Sequence, residues 1–229
     1  WRQGPTGEII EVVSRKTTRF VGRYFESSGI SWVRVDGNTF DSPISVGDPG
    51  AKDAGENDKV VIEIVRFPQY GQGGEGVVVE VLGALADPGV DAQSIIHEFD
   101  LPGPFPDEVL ADAREQAAQF SEEVLDDRRD LTEKVIVTID PTDARDFDDA
   151  ISLDRIENDH WLLGVHIADV CYFVRKGSPL DIEAARRGTS VYLPGHVIPM
   201  LPEIVSNNLA SLQPERVRFT RTCWIEFSP

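Results

Sequence analysis

The sequence is poor in cysteine and histidine and lacks a long apolar segment. Its 229 residues include two cysteines, Cys171 and Cys223, and four histidines. Thiols so far apart predict no disulfide framework, and histidines without ligand spacing predict no zinc site. We expect buried free thiols in a reducing compartment. No apolar run approaches the length of a membrane span and no signal peptide is visible, so we expect neither.

The excess of acidic residues is concentrated in one segment. The formal net charge is -18, which by itself argues against binding to nucleic acid. Residues 86–133, however, contain 14 acidic and 3 basic residues, and the segments on either side are closer to balance. Because nucleic acids are bound by local basic patches, the total charge does not exclude them.

Residues 1–85 have an all-β pattern. Runs rich in Val and Ile, separated by Gly, Asp, Asn and Pro, predict five strands: 7–14, 19–26, 30–35, 59–66 and 75–82. The longest gap, 36–58, has the composition of a loop. Five short strands with one long connection predict a small OB-type barrel.

The second and third predicted strands carry aromatic residues interleaved with arginines. Aromatic side chains stack on bases and arginines hold phosphates on the surfaces of OB-type barrels. Because side chains alternate between the two faces of a strand, only part of this set can face outward, and the rest fills the barrel. The candidates chosen for nucleic-acid contact are Phe20, Arg23 and Trp32.

The remaining sequence predicts an acidic linker followed by a mixed α/β region. Residues 86–133 form the linker, with one helix over 107–130 whose apolar residues recur at helical spacing. Within 134–229, Ser178 followed by proline predicts a helix start and Gly188 predicts its end. Strands are predicted at 134–139, 150–154, 161–167 and 217–227.

The most informative feature is a run of aspartates between apolar segments. Four of them lie within ten residues: Asp140, Asp146, Asp148 and Asp149, with Asp143 among them. At about 4 Å and an effective dielectric near 20, each charged pair costs on the order of 4 kcal/mol, so divalent cations would stabilise the group. Oxygen ligands without His or Cys favour Mg²⁺, with Mn²⁺ as the alternative, and two such ions suit phosphodiester cleavage.

An EF-hand does not fit this run. Starting the loop at Asp146 places its required glycine at Ile151, and starting at Asp140 places its final glutamate at Ile151. A structural Ca²⁺ loop of another kind and a solvated acidic turn without an ion remain alternatives.

Residues 138–150, Thr-Ile-Asp-Pro-Thr-Asp-Ala-Arg-Asp-Phe-Asp-Asp-Ala, closely resemble the signature of the RNB catalytic domain of the RNase II/RNase R exoribonuclease family. Other segments resemble that family in the same order: 129–131, 164–170, 187–194 and 198–203. Upstream, 7–13 and 76–83 resemble a cold-shock domain of the RNase R branch. The resemblance covers nearly the whole chain.

This resemblance implies a mainly β protein with an α+β portion: an OB-type cold-shock barrel at 1–85, the acidic linker at 86–133, and the first part of an RNB α/β catalytic domain at 134–229. It also implies a cytoplasmic, Mg²⁺-dependent enzyme that degrades single-stranded RNA processively from the 3′ end and releases 5′-nucleoside monophosphates, without an organic cofactor.

The resemblance assigns roles to individual residues. Asp148 matches the catalytic aspartate, and three aspartates match the metal-holding positions: Asp140, Asp146 and Asp149. Tyr192 matches the tyrosine that stacks on the 3′-terminal nucleotide, for which an aromatic ring suits sequence-tolerant digestion. Asp143 is not one of the four and is interpreted as a helper or structural residue, and His166 and Asp169 are interpreted as structural.

The family pattern continues beyond this sequence. Its RNB domain extends to a segment of the type Thr-Ser-Pro-Ile-Arg-Arg-Tyr, which supplies a catalytic arginine and does not occur here. We therefore expect a piece of a longer protein that is inactive alone. Two alternatives stay open: an RNA-binding module with a non-catalytic RNB relic, and a metal-stabilised structural domain.

Overall fold

The structure is a computed structural model that describes residues 7–8, 10–47, 50–69, 71–142 and 144–229. The chain forms two compact units, Trp1–Pro102 and Gly103–Pro229. The proposed division into barrel, linker and catalytic segment stays a prediction. Asp143 lies outside the described residues.

The first unit is built on a closed five-stranded barrel, as the sequence predicts. Its strands are joined in the order β1-β2-β3-β5-β4, with only β3 and β5 parallel. The bounds are β1 Arg19–Ser27, β2 Ile30–Val35, β3 Ile44–Val46, β4 Asp58–Arg66 and β5 Glu75–Ala84. Helix α1, Val90–Glu98, follows the barrel.

The barrel closes tightly because β1 and β2 approach each other at a glycine. A Cβ at Gly22 would lie 2.6 Å from both the carbonyl oxygen of Arg34 and Cγ1 of Val33. Tyr24 and Val33, opposite each other in the register, are buried in the barrel core with Ile44 of β3. A larger residue at position 22 would therefore separate the first two strands.

Two predictions for this unit are wrong. Residues 7–14 form no strand where they are described, and several of their apolar side chains are exposed; Ile9 lies outside the described residues. The closing strand is instead β3, inside the predicted loop 36–58. It is short, but Ile44 and Val46 are fully buried, so two inward side chains suffice to pair it with β2 and β5.

The second unit combines a three-stranded antiparallel sheet with helices and a hairpin. The sheet has the order β10-β7-β6, and β8 and β9 form the hairpin. The helices are α2 Asp107–Gln119, α3 Val170–Phe173 and α4 Pro179–Arg187, with a π-helical turn at Val205–Leu209. The strands are β6 Asp149–Arg155, β7 Trp161–Ala168, β8 Val191–Leu193, β9 His196–Ile198 and β10 Thr220–Phe227.

The core of this unit lies between the helices. Val109 and Ala113, one turn apart on α2, are buried with Phe173, Leu180 and Leu209. Helix α4 begins and ends as the sequence predicts: the Ser178 hydroxyl accepts a hydrogen bond from the amide of Asp181, and Gly188 has φ 75° at the end.

The predicted helix over 107–130 is too long, and α1 was not predicted. Helix α2 ends at Gln119 because Phe120 adopts an extended backbone. Its ring packs edge-on against Phe173 and Phe219, with centroids 5.2 and 5.5 Å away. Aromatic packing thus redirects a chain whose local pattern favours continued helix.

Two predicted strands are also shorter than expected. The segment 134–139 forms a single bridge, Val137 to Ile151, rather than a strand, and Val135 and Ile139 are 84% exposed. The last strand begins at Thr220 instead of residue 217.

The prediction of buried thiols is wrong, since Cys171 and Cys223 are both free and exposed. Cys223 alternates with half-buried neighbours along β10, which places it on the solvent side of the strand.

Candidate active site and nucleic-acid face

The acidic run forms a loop that is attached to the second unit at its backbone. At its start, Val137 and Ile151 exchange two backbone hydrogen bonds of 2.9 Å. At its end, the amide of Ala168 donates to the carbonyl of Asp148 at 2.9 Å, and Asp149 opens β6 opposite Ile167. The two ends of the loop are therefore held by the neighbouring strands β6 and β7.

The four aspartates interact electrostatically. The pKa of Asp148 is raised, first because the loop partly shields its carboxyl from water and then because Asp146, Asp149 and Asp140 repel its charge. Asp148 is nevertheless at the surface, as are Asp140 and Asp149, and Asp146 is half-buried. The loop is thus a site where negative charge is concentrated and still accessible.

The donor set suits a hard divalent cation, although it does not form a finished cage. Within the described ranges, which leave out Asp143, no group of three or more His, Cys, Asp or Glu is arranged to hold a metal ion. Mg²⁺ commonly uses only one or two carboxylates and completes its shell with waters and substrate phosphates. The accessible aspartate oxygens fit that mode of binding.

Tyr192 lies beside the acidic loop although it is 46 residues from Asp146 in sequence. It stands on β8 opposite Val197, and its hydroxyl donates a hydrogen bond of 3.4 Å to Oδ2 of Asp146. The side chain is 68% exposed, so its ring is open to a ligand. The pKa of Tyr192 is raised, chiefly by the charge of Asp146. The structure therefore brings this exposed ring to the carboxylates.

His166 and Asp169 are buried in hydrogen-bonded networks. The ring nitrogens of His166 lie 2.9 Å from the hydroxyl of Thr222 and 3.0 Å from that of Ser152, and burial lowers its pKa. Asp169 pairs with Arg128 at 2.7 Å and with Arg221 at 3.2 Å. Each side chain has its partners inside the unit, in agreement with a structural role.

The three candidates on the barrel do not share one face. Arg23 lies opposite Arg34 in the register, and Trp32 lies opposite Phe25, so these four occupy the outer face of β1 and β2. Both arginines are exposed and both rings are half-buried. This outer face has the mixture of rings and cations that binds nucleic acid.

Phe20 points to the other side of β1. It packs against the barrel core, and its ring meets those of Phe40 and Phe67 edge-on at 5.0 and 6.4 Å. Tyr24 is 1% exposed and its hydroxyl contacts Ser31, so it is a core residue. Phe25, which was not among the chosen candidates, lies on the outer face of the barrel in place of Phe20. A role for Phe20 in RNA binding stays a prediction.

Residues that hold the acidic loop could not be identified from the sequence. Ser211 and Leu212 contact its backbone, yet they lie more than 60 positions away and belong to no chemical motif. The resemblance did place Tyr192 in the same site as the aspartates, but only the fold provides the contact with Asp146.

Replacing Asp148 by asparagine is expected to stabilise the metal-free chain. A raised pKa means that the folded state binds the proton more tightly than the unfolded chain, so stability is lost as pH rises through that pKa. Removing the charge should raise the melting temperature at pH 7 by about 1–3 °C. Calorimetry with a chelator would measure this, with the exposed Asp126→Asn as the matched control. A lower melting temperature for Asp148→Asn would contradict this electrostatic picture.

Comparison with known proteins identifies the parts of the chain. Residues 128–229 match the RNB domain, and residues 32–106 match the cold shock domain. Ribonuclease R of Thermotoga maritima is 43% identical over 228 residues, which are 99% of this chain and 32% of that protein. Ribonuclease R of Vibrio parahaemolyticus is 39% identical over 97% of this chain and 27% of that protein.

A solved structure shows the same architecture. Mycoplasma genitalium RNase R, in complex with ribose-methylated single-stranded RNA, superposes with a TM-score of 0.83 at 29% identity. The match covers 100% of this chain and 37% of that protein. This chain therefore spans about a third of the length of the relatives it matches. Within the described ranges, no helix has the length and apolar character needed to cross a membrane.

The chain combines a closed barrel of the cold-shock type with the beginning of an RNB domain, which contains the acidic loop. These features place it in the class of RNB-domain proteins. The chain belongs to the RNase II/RNase R family. The relatives and the solved structure named above are RNase R proteins.

Proposed function

We propose that the protein containing this chain is a Mg²⁺-dependent exoribonuclease that degrades single-stranded RNA processively from its 3′ end and releases 5′-nucleoside monophosphates. The observation that carries the proposal is the contact of the exposed Tyr192 with Asp146 inside a loop of mutually repelling carboxylates. Cleavage of a terminal nucleotide needs an aromatic ring that stacks on the base and carboxylates that bind the metal ion. The Tyr192 ring and the acidic loop would supply these two parts.

In this proposal each aspartate has a defined task. Asp140, Asp146 and Asp149 would supply the ligands for Mg²⁺, or for Mn²⁺ in its place, with one or two carboxylates per ion and with water and substrate phosphate as the other ligands. A bound ion supplies charge stabilisation for the phosphate and lowers the pKa of water. Asp148, whose own pKa is raised, would orient the attacking water and take up its proton.

Tyr192 would position the terminal nucleotide. Its ring is exposed and its hydroxyl is tied to Asp146, so a base stacked on it would bring the adjoining phosphate towards the carboxylates. Stacking accepts any base because every base has a π-face, which suits degradation without sequence preference.

The outer face of the barrel would bind RNA further from the cut. Arg23 and Arg34 present two exposed cations beside the half-buried rings of Trp32 and Phe25. The solved RNase R relative is bound to RNA, which supports RNA as the ligand of this chain as well.

The free thiols Cys171 and Cys223 suit a reducing, cytoplasmic location.

We further propose that the 229-residue chain is inactive alone. It spans about a third of its relatives, and the sequence resemblance places a catalytic arginine in a segment that these residues do not include. The arginine would offset charge on the scissile phosphate.

A degradation assay tests the proposal. RNA labelled at its 5′ end is incubated with the whole protein or with the 229-residue chain, with Mg²⁺ or with chelator. We expect the whole protein to shorten the RNA from the 3′ end only with Mg²⁺, while the chain alone binds RNA and leaves it uncut. Intact RNA in every lane, with binding preserved, would instead favour an RNA-binding module with a catalytically inactive RNB relic.

Replacing Tyr192 by alanine is expected to slow degradation by about 10- to 100-fold, since stacking contributes about 1–3 kcal/mol per base. Tyr192→Phe keeps the ring and loses only the hydrogen bond to Asp146, so we expect a change of less than about threefold. Single-turnover rates on short RNAs would measure both variants. Equal losses in the two variants would contradict a stacking role and point to the hydroxyl.

A further inference from the structure

Ser211 contacts the acidic loop on both sides of Asp146. Its hydroxyl accepts a hydrogen bond from the amide of Phe147 at 3.1 Å and donates one to the carbonyl of Arg145 at 2.9 Å. Its residue exposure is 0%, so no water competes for these bonds. One buried hydroxyl therefore bridges the backbone groups that flank a candidate metal ligand.

The next residue completes the attachment. The amide of Leu212 donates to the carbonyl of Phe147 at 2.9 Å, so both backbone polar groups of Phe147 are engaged by the 211–212 segment. On the other side, Ala168 donates to the carbonyl of Asp148. The backbone that carries Asp146 and Asp148 is thereby held from two directions.

Ser211 is itself held in place. It follows the π-helical turn Val205–Leu209, whose Val205 and Leu209 are buried in the core of this unit. The guanidinium of Arg218, 5% exposed, donates to the carbonyl of Ser211 at 3.1 Å and pairs with Glu122 at 2.9 Å. The hydroxyl is therefore fixed to the core of this unit.

A loop of carboxylates needs such an attachment. Like charges push the side chains apart, and the described residues hold no group of three potential ligands in chelating range. A misplacement of about 1 Å in a catalytic group can cost about 100-fold in rate. The Ser211 hydroxyl fixes the backbone around Asp146 through neutral hydrogen bonds, which add no charge to the loop.

We propose that Ser211 is a positioning residue that holds the backbone on both sides of Asp146 and thereby fixes Asp146 and Asp148 relative to each other. The proposal rests on the proposed function for its catalytic consequence. Its structural part, the attachment of the loop through one hydroxyl, is independent of what the loop binds.

The test compares Ser211→Ala with Ser152→Ala in the whole protein. Both serines are buried and both variants lose a hydrogen-bonded hydroxyl, but Ser152 contacts His166 instead of the loop. We expect Ser211→Ala to raise the Mg²⁺ concentration for half-maximal RNA degradation about tenfold and to lower kcat about 10- to 100-fold, with KM for RNA within about twofold. Ser152→Ala should leave these values within about twofold.

Two further readouts do not depend on activity. Titration calorimetry with Mn²⁺ should show about tenfold weaker binding for Ser211→Ala only. Hydrogen exchange should show faster exchange, by at least about tenfold, at the amide of Phe147. If the unmodified protein degrades no RNA, the proposed function fails, while the Mn²⁺ titration and the exchange still decide on Ser211.

The proposal is overturned if Ser211→Ala and Ser152→Ala behave alike in Mn²⁺ affinity and in exchange at Phe147. Should Ser211→Ala fail to fold, Arg218→Met weakens the same attachment, because methionine cannot donate a hydrogen bond to the Ser211 carbonyl. A folded Arg218→Met variant with unchanged Mn²⁺ affinity and unchanged exchange at Phe147 would then overturn it.

Discussion

Asparagine in place of Asp148 is expected to reduce RNA degradation by the whole protein about 10³-fold, with RNA affinity unchanged within about twofold. General-base catalysis contributes about 10²- to 10⁴-fold, and asparagine cannot accept the proton. Asparagine keeps the size of the exposed side chain and removes only its charge, so the loss should fall on kcat. Rates under single-turnover conditions and affinities from fluorescence anisotropy would separate the two effects.

The matched control is Asp126→Asn, which removes the same charge from an exposed position outside the loop. We expect its rate to stay within about twofold of the parent. Degradation by Asp148→Asn at the parental rate would remove Asp148 from the mechanism. A loss of RNA affinity that matches the loss of rate would make Asp148 a binding residue instead.

Replacing Arg187 by alanine is expected to lower the free energy of unfolding of the second unit by about 2–3 kcal/mol, since a buried charged hydrogen bond is lost while Arg186 still pairs with Glu183. The Arg187 side chain is 1% exposed and pairs with Glu183 at 2.8 Å. It also donates to the carbonyls of Pro199 and Gly103, and its guanidinium lies 3.7 Å from the ring centroid of Phe105. Truncation would leave two carbonyls without this donor and a cavity next to the core.

The same ion pair predicts a pH dependence. Hydrogen bonds from Arg186 and then Arg187 lower the pKa of Glu183 to about 2, against the opposing effect of burial. A lowered pKa gives stability that is present above the ordinary value near 4.5 and is lost as pH falls towards 2. Arg187→Ala should therefore lose stability less steeply over that range than the parent.

Urea unfolding of the 229-residue chain, followed by fluorescence, would measure both effects. Arg175→Ala is the matched control, because Arg175 is an exposed arginine eight residues from Glu183. A change of less than about 1 kcal/mol for Arg187→Ala would contradict its place as the connection between α4 and the segment before α2.

Local sequence pattern was sufficient for elements whose signals are short-range. The caps of α4 at Ser178 and Gly188 were predicted because each acts on its own helix end. The strands β1, β2, β4 and β5 were predicted because runs rich in Val and Ile are typical of strands with one buried face. The barrel class follows from their number and spacing.

Elements that depend on distant partners were not predictable in this way. Strand β3 has three residues and is defined by its pairing with β2 and β5, and α2 ends where Phe120 meets aromatic residues from another part of the chain. The segment at Val137 has a strand-like composition, but only one partner residue, Ile151, is available to it.

The candidate site shows the same division. The divalent-cation chemistry of the aspartates could be predicted from ten residues of sequence, because ligand type and charge density are properties of the side chains themselves. The position of Tyr192 against Asp146 and the attachment of the loop by Ser211 come from the fold. Resemblance to a family assigned Tyr192 a role in the same site, but it supplied neither the contact with Asp146 nor the attachment by Ser211.

The most direct test of the account is the identity of the reaction product. The whole protein is incubated with single-stranded RNA and Mg²⁺ in water enriched in ¹⁸O, and the products are analysed by mass spectrometry. Hydrolysis at the acidic loop predicts nucleoside 5′-monophosphates that carry one ¹⁸O on phosphorus, formed only with the metal and not by Asp148→Asn. Undegraded RNA, or products that end in a 3′-phosphate, would contradict the proposed function.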